Sequence, residues 1–222
     1  MFDTRAAVRP PGRRRTCSPP GCQASTSASS PPTGVFLPKG ARFNFEIHYT
    51  TNGEPKTDET RVGLYLAKEP PKARLEVRAT ETRSLDIPPG ASDARYETAM
   101  CFKRSAAIYE LSPHMHSRGA WFRFHLLYPD GRRETALSVP NYDFNWQTGY
   151  RLAKPLHVPA GTWLYCSGGF DNSAKNPANP DPTKRVRWGP QSWNEMFMGF
   201  ATVADDEDGK SASAGSPDPA AK

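Results

Sequence analysis

The stretch Trp121–Gly131, WFRFHLLYPDG, decides how this chain is read. Aromatic and apolar residues crowd its first eight positions, the composition of a strand on a pleated, half-buried surface. Pro129-Asp130-Gly131 is a tight turn, and Thr135–Val139 answers as the return strand, so the stretch predicts a β-hairpin. His125 shares the face of Trp121 and Arg123 by the two-residue period of a strand.

The same pattern runs outward in both directions. Arg42–Tyr49, RFNFEIHY, alternates: Phe43, Phe45, Ile47 and Tyr49 face one way, and Arg42, Asn44, Glu46 and His48 the other. Further strands are predicted over Val62–Ala67, Leu75–Leu85 (with Leu75, Val77 and Ala79 inward), Tyr96–Lys103, Ala106–Leu111, Tyr142–Gln147, Tyr150–Leu152, Thr162–Ser167 and Glu195–Val203. Pro and Gly punctuate them. His157 falls in a PLHVPAG turn, and Asp171–Arg185 reads as a long loop. Its Asn and Asp residues suit Asx-turns as well as calcium ligation. With no convincing amphipathic helix, the expected fold is an all-β, antiparallel β-sandwich of jelly-roll type.

Composition agrees. The 222 residues include 23 prolines and are 11% aromatic, which suits a turn-rich β protein better than a helical bundle. The formal charge of +6 is unevenly placed. Residues 1–34 hold five arginines and Asp3, a net +4, which leaves only +2 for the rest. That tail is Pro/Ser/Arg-rich without apolar periodicity and reads as disordered, as do residues 205–222. A solvated tail explains the arginines better than a nucleic-acid site does. No apolar run approaches the length of a membrane span, and no signal-peptide pattern is visible. Cys17 and Cys22 lie in the tail; only Cys101 and Cys166 fall in the region expected to fold.

Leu111–Gly119, LSPHMHSRG, carries the chemistry. In an extended chain His114 and His116 share a face roughly 7 Å apart along the strand, a spacing from which two imidazoles can converge on one metal. A pair of surface histidines at a strand end is the plainer alternative. Met196 and Met198 share a face of the last strand. Alone, Met196 is core; beside two histidines, its thioether is a soft donor that favours copper, above all Cu(I), over zinc or magnesium.

In order, PHMHSRG, FRFHLLYPDG, VPNYDFNWQTGYRL, FDNSAKNPANPDPTKRVRWG and NEMFMGF resemble the C-terminal domain of the copper type II, ascorbate-dependent monooxygenases. These include the peptidylglycine α-hydroxylating and dopamine β-monooxygenases, and the wording is nearest their bacterial branch. The resemblance covers about residues 35–203. It implies a copper on His114, His116 and Met196 that meets O2 and a small organic substrate, C–H hydroxylation, and an ascorbate-type reductant. It implies that His48 is one ligand of a second, electron-transfer copper, and a periplasmic or extracellular setting.

Three departures qualify it. The five histidines are His48, His114, His116, His125 and His157, so none precedes His48 to complete the second centre. Ser112 stands where the peptide-amidating members carry a carboxylate-binding arginine, and Met198 and Phe200 replace an amide and a phenol, so a glycine-extended peptide is not the expected substrate. Cys101 and Cys166 fall on half-cystine positions without their usual partners, and either pair with each other or are free. The expected organisation is a tail (1–34), the last strands of an incomplete β domain (35–90), and one complete domain (91–204). A missing N-terminal domain or partner chain would supply the other histidines. Two alternatives stand beside the monooxygenase: a copper-binding module without turnover, and a plain β-sandwich interaction domain.

Overall fold

Hydrogen-bonded ladders between distant segments organise this chain. The computed structural model describes residues 3–9, 33–48, 53–55, 57, 59, 61 and 63–206; side chains are described from residue 33, except those of 45–48. Among the described residues there are strands and turns but no helix, and so no helix long and apolar enough to cross a membrane. The strands are β1 (Asp3–Arg9), β2 (Thr33–Val35), β3 (Arg42–His48), β4 (Ala73–Thr82), β5 (Asp86–Ile87), β6 (Ala94–Cys101), β7 (Ala106–His114), β8 (Gly119–Leu127), β9 (Arg133–Val139), β10 (Tyr150–Val158), β11 (Trp163–Phe170), β12 (Val186–Arg187) and β13 (Phe197–Asp205).

The chain divides into two units, Met1–Leu75 with Asp208–Lys222, and Glu76–Glu207. In the first, β1 pairs antiparallel with β3, Asp3 opposite His48. Asp3–Arg9 therefore departs from the tail expected over residues 1–34, because its backbone finds a strand partner. β2 runs parallel to Ala73–Leu75. The strand expected over Val62–Ala67 is absent from its described residues 63–67. They belong to no strand or turn, and Leu64, Tyr65 and Leu66 are exposed.

The second unit is the β-sandwich. One sheet has the order β10-β7-β13-β4 and the other β6-β11-β8-β9, with antiparallel neighbours throughout. The predicted hairpin is β8–β9, its turn closed at Gly131, whose φ of 85° suits glycine. The core lies between the sheets. Ile108 and Leu111 of β7 and Phe197, Ala201 and Val203 of β13 meet Phe122, Phe124 and Leu126 of β8 and Leu164 and Cys166 of β11, all fully buried.

Several boundaries differ from the sequence expectation. β4 hydrogen-bonds to β13, which moves the start of the sandwich from residue 91 to Glu76. Its inward side chains are not Val77 and Ala79. Val77 is 40% exposed, while Thr80 bonds Thr98 of β6 at 2.8 Å and Arg78 reaches Asp205 at 2.7 Å. Asp205 belongs to no tail: it ends β13, is buried, and pairs with Arg78 and Arg104. His157 is in β10 opposite Ala107 rather than in a turn, and is exposed beside Asp206 at 3.5 Å.

Tyr142–Gln147 is not a strand. Asp143 turns it, its carboxylate accepting from the Asn145 N–H at 2.8 Å and its carbonyl from the Trp146 N–H at 2.9 Å. Cys101 and Cys166 are both free: they lie opposite Trp163 and Thr98 respectively, three rungs and roughly 10 Å apart along the ladder, beyond disulfide reach. Cys17 and Cys22 lie outside the described residues. In the loop after β11, Asp171, Asn176, Asn179 and Asp181 each accept an N–H two residues on, which makes the segment a chain of Asx-turns.

Candidate metal centre

The parity of β7 and β13 builds this site. In β13, Phe197 stacks on Phe122 at 4.8 Å between ring centroids. Two residues on, a Cβ at Gly199 would collide with Cys166 Sγ and lie 2.9 Å from Phe124 Cε1. Positions 197 and 199 therefore face the core, and Met198 and Phe200 face away from it. β7 runs alongside with Met198 opposite His114, Gly199 opposite Pro113 and Phe200 opposite Ser112. His114 is thus on the outer face of its sheet, yet only 2% exposed.

Beyond β7, Met115 and His116 lead into the turn at Ser117–Arg118. Met115 turns inward and is fully buried, its N–H and C=O both bonded to the Tyr142 hydroxyl, at 3.0 and 2.7 Å. His116 returns to the outer side, 5% exposed. The rings of His114 and His116 lie 5.3 Å apart between centroids at 86°, and Phe144 stands edge-on to His116 at 5.7 Å. The expectation that the two histidines share a face is met.

Each imidazole is oriented through Nδ1. Gln147 Nε2 donates to the Phe144 carbonyl at 3.0 Å, which turns Gln147 Oε1, an acceptor, towards His114 Nδ1 at 2.6 Å. His116 Nδ1 meets the Asn194 carbonyl at 3.1 Å. Both acceptors require the proton on Nδ1, which puts the lone pair of each ring on Nε2. Metal-binding histidines are commonly held this way, Nδ1–H to an oxygen and Nε2 to the metal.

Glu195 joins the His116 segment to that of Met196. It is fully buried, and its carboxylate accepts the N–H of His116 at 2.8 Å, of Arg118 at 2.7 Å and of Met196. The Arg118 guanidinium, 2% exposed, lies 3.8 Å away and also donates to Asn172 Oδ1 at 2.9 Å and the Trp193 carbonyl at 3.1 Å. Burial pushes the Glu195 carboxyl up to about 8 against the pull of those N–H groups and Arg118. Asn172 spends its amide on the Pro88 and Lys184 carbonyls, tying the Asx-rich loop beneath the site.

Met196 lies just before β13, partly buried. His48 ends β3 in the first unit, and its side chain is outside the described residues. His125 bonds Thr135 Oγ1 at 3.1 Å on β9, in the other sheet from His114. Among the described residues no three His, Cys, Asp or Glu side chains gather as a metal cluster; the candidate donors are two imidazoles and a thioether. Gln147 and Asn194 escaped the sequence reading. Tyr142–Gln147 reads as a strand by its aromatics, and a backbone carbonyl leaves no residue-type signal.

One neighbouring group is titration-sensitive. Glu110, two rungs from Ser112 on the same outer face, is half-buried, and burial raises its carboxyl above the ordinary value of 4.5 against Arg151 and Ser112. A raised folded-state value means that the folded protein holds this proton more tightly than the unfolded chain does. The resulting stabilisation is complete below 4.5 and is lost as pH rises through the folded value. Urea titrations from pH 4 to 7 should show wild type losing stability relative to Glu110→Gln as pH rises; parallel curves would remove Glu110 from the account.

The fold places this chain among antiparallel β-sandwich proteins. No family model matches it and no curated protein matches it. A solved structure, of the infectious bursal disease virus Gt strain, is similar over 92% of this chain and 52% of that one, at 10% identity and a TM-score of 0.26. This chain spans about half of that viral chain.

Proposed function

We propose that the Glu76–Glu207 sandwich is a copper-dependent monooxygenase domain whose metal is held by His114, His116 and Met196. The observation that carries this reading is the pair of Nδ1 acceptors, Gln147 Oε1 and the Asn194 carbonyl, which aim two adjacent and nearly buried imidazoles through Nε2. The donor set fits copper: two imidazoles with a thioether suit Cu(I) and poorly suit magnesium or calcium. Copper bound there would supply O2 activation for hydroxylation of a C–H bond, with an ascorbate-type reductant.

The chain's own residues do the rest. Gln147 and Asn194 fix the tautomers, Glu195 holds residues 116, 118 and 196 at constant separation, and Phe144 shields the edge of His116 from water. No cation stands on the Ser112–Phe200 rung beside His114, which favours an uncharged substrate end over a carboxylate. His48 is proposed as a ligand of a second, electron-transfer copper.

A second reading, a copper module without turnover, draws support from the remaining histidines. The five histidines are His48, His114, His116, His125 and His157, and none precedes His48, where the resemblance puts the other ligands of the second centre. Copper stoichiometry under reducing conditions tests the shared claim. Wild type should bind one Cu(I) per chain at this site, and His114→Ala should abolish stoichiometric binding while its strand content persists. Equal copper in both proteins would sink the assignment. Oxygen uptake with ascorbate then separates the monooxygenase from the silent module.

A further inference from the structure

The register between β7 and β13 brings a second sulfur to the same place. His114 and Met198 are direct cross-strand partners on the outer face, and such partners have Cβ atoms about 4.5–5.5 Å apart. Continuing that antiparallel register by two residues would set Met196 against His116. The segments thus present two His/Met pairs, one above the other, with Glu195 tying the outer pair together through the N–H groups of His116 and Met196. Met198 cannot turn away, since Phe197 is stacked on Phe122 and Gly199 is closed in by Cys166 and Phe124, which fixes the parity of the strand.

Burial separates the two methionines. Met198 is 8% exposed beside an imidazole that is 2% exposed, whereas Met196 is only partly buried. A thioether on three rotatable bonds spans the remaining gap readily.

We propose that Met198 is a second thioether donor of this centre, next to His114, so that the site offers two imidazoles and two sulfurs to one soft, monovalent metal ion. The inference rests on the copper reading above. No electron or group transfer is involved; the claim concerns the donors of Cu(I). Two soft donors deepen the preference for the reduced ion and make the sulfur shell redundant, so that loss of one methionine leaves a sulfur on the metal.

The test is X-ray absorption and Cu(I) competition titration on the full chain, comparing wild type, Met196→Ile, Met198→Ile and the double variant. Met198→Leu serves as a volume-conserving control, and thermal melts report folding. The expected result is a sulfur shell that weakens in each single variant and disappears only in the double one, with Cu(I) affinity falling at least tenfold in Met198→Ile. A sulfur shell that vanishes in Met196→Ile and is unchanged in both Met198 variants overturns the proposal and leaves the three-donor site intact. A shell that vanishes in Met198→Ile alone keeps Met198 as a donor and removes Met196. Absence of copper from folded wild type overturns both readings together.

Discussion

Glu195→Ala is expected to destabilise the sandwich unit by about 3–5 kcal/mol, the cost of leaving three buried N–H groups without their acceptor. The substitution removes a carboxylate that is fully buried and leaves the N–H groups of His116, Arg118 and Met196 to find other acceptors. It also removes one of the two acidic groups, with Asp181, that act electrostatically on the Arg118 guanidinium, which is 2% exposed. Each orphaned buried donor costs about 1–3 kcal/mol. Water entering the space satisfies part of that, so the total stays below the sum of three such costs. Glu195→Gln keeps the shape and one acceptor oxygen, and should lie between wild type and alanine. Urea unfolding gives the magnitude; amide exchange at His116 and Arg118 gives the location. A loss below about 1 kcal/mol, with both amides still protected, would mean that Glu195 is not what joins the histidine segment to Met196.

Phe197→Ala should cost a comparable amount, about 3–5 kcal/mol, the range for truncating a buried phenylalanine. Its ring is fully buried, stacks on Phe122 at 4.8 Å, stands edge-on to Phe170 at 6.2 Å, and fills the space over Gly168 that a Cβ would occupy. The consequence reaches the site, because Phe197 separates Met196 from Met198 and its inward anchoring is what turns both outward. Phe197→Leu refills part of the volume and should recover more than half of the loss. If Phe197→Ala unfolds at the wild-type urea concentration, Phe197 does not set the parity of β13.

Much of this was legible locally. The WFRFHLLY–PDG hairpin is β8–β9, and the two-residue period of an extended chain already places His114 and His116 on one face. The misreadings share a cause. Tyr142–Gln147 has a strand's aromatics but an Asp143 side chain that captures its own backbone. Residues 63–67 have a strand's composition but no strand partner among the described residues, and without a ladder composition does not make a strand. Val77 and Ala79 alternate correctly but face outward, because the edge of the core at β4 is polar: Thr80 bonds Thr98, and Arg78 bonds Asp205. Asp205 looks like the start of an acidic tail until two arginines from elsewhere in the chain neutralise it.

By itself the sequence determined the secondary structure period, the turns and the shared face of two histidines, since these follow from steric and hydrogen-bonding preferences a few residues long. Only the tertiary structure decided what stands opposite those histidines. Met198 reaches His114 across 84 residues of chain, as Gln147 does across 33 and the Asn194 carbonyl reaches His116 across 78. Those meetings depend on sheet order and register, which are set by which inner faces fill the core without a void: Gly199 against Cys166 and Phe124, Phe197 against Phe122. Packing of that kind is a property of all the strands at once, and no local pattern encodes it.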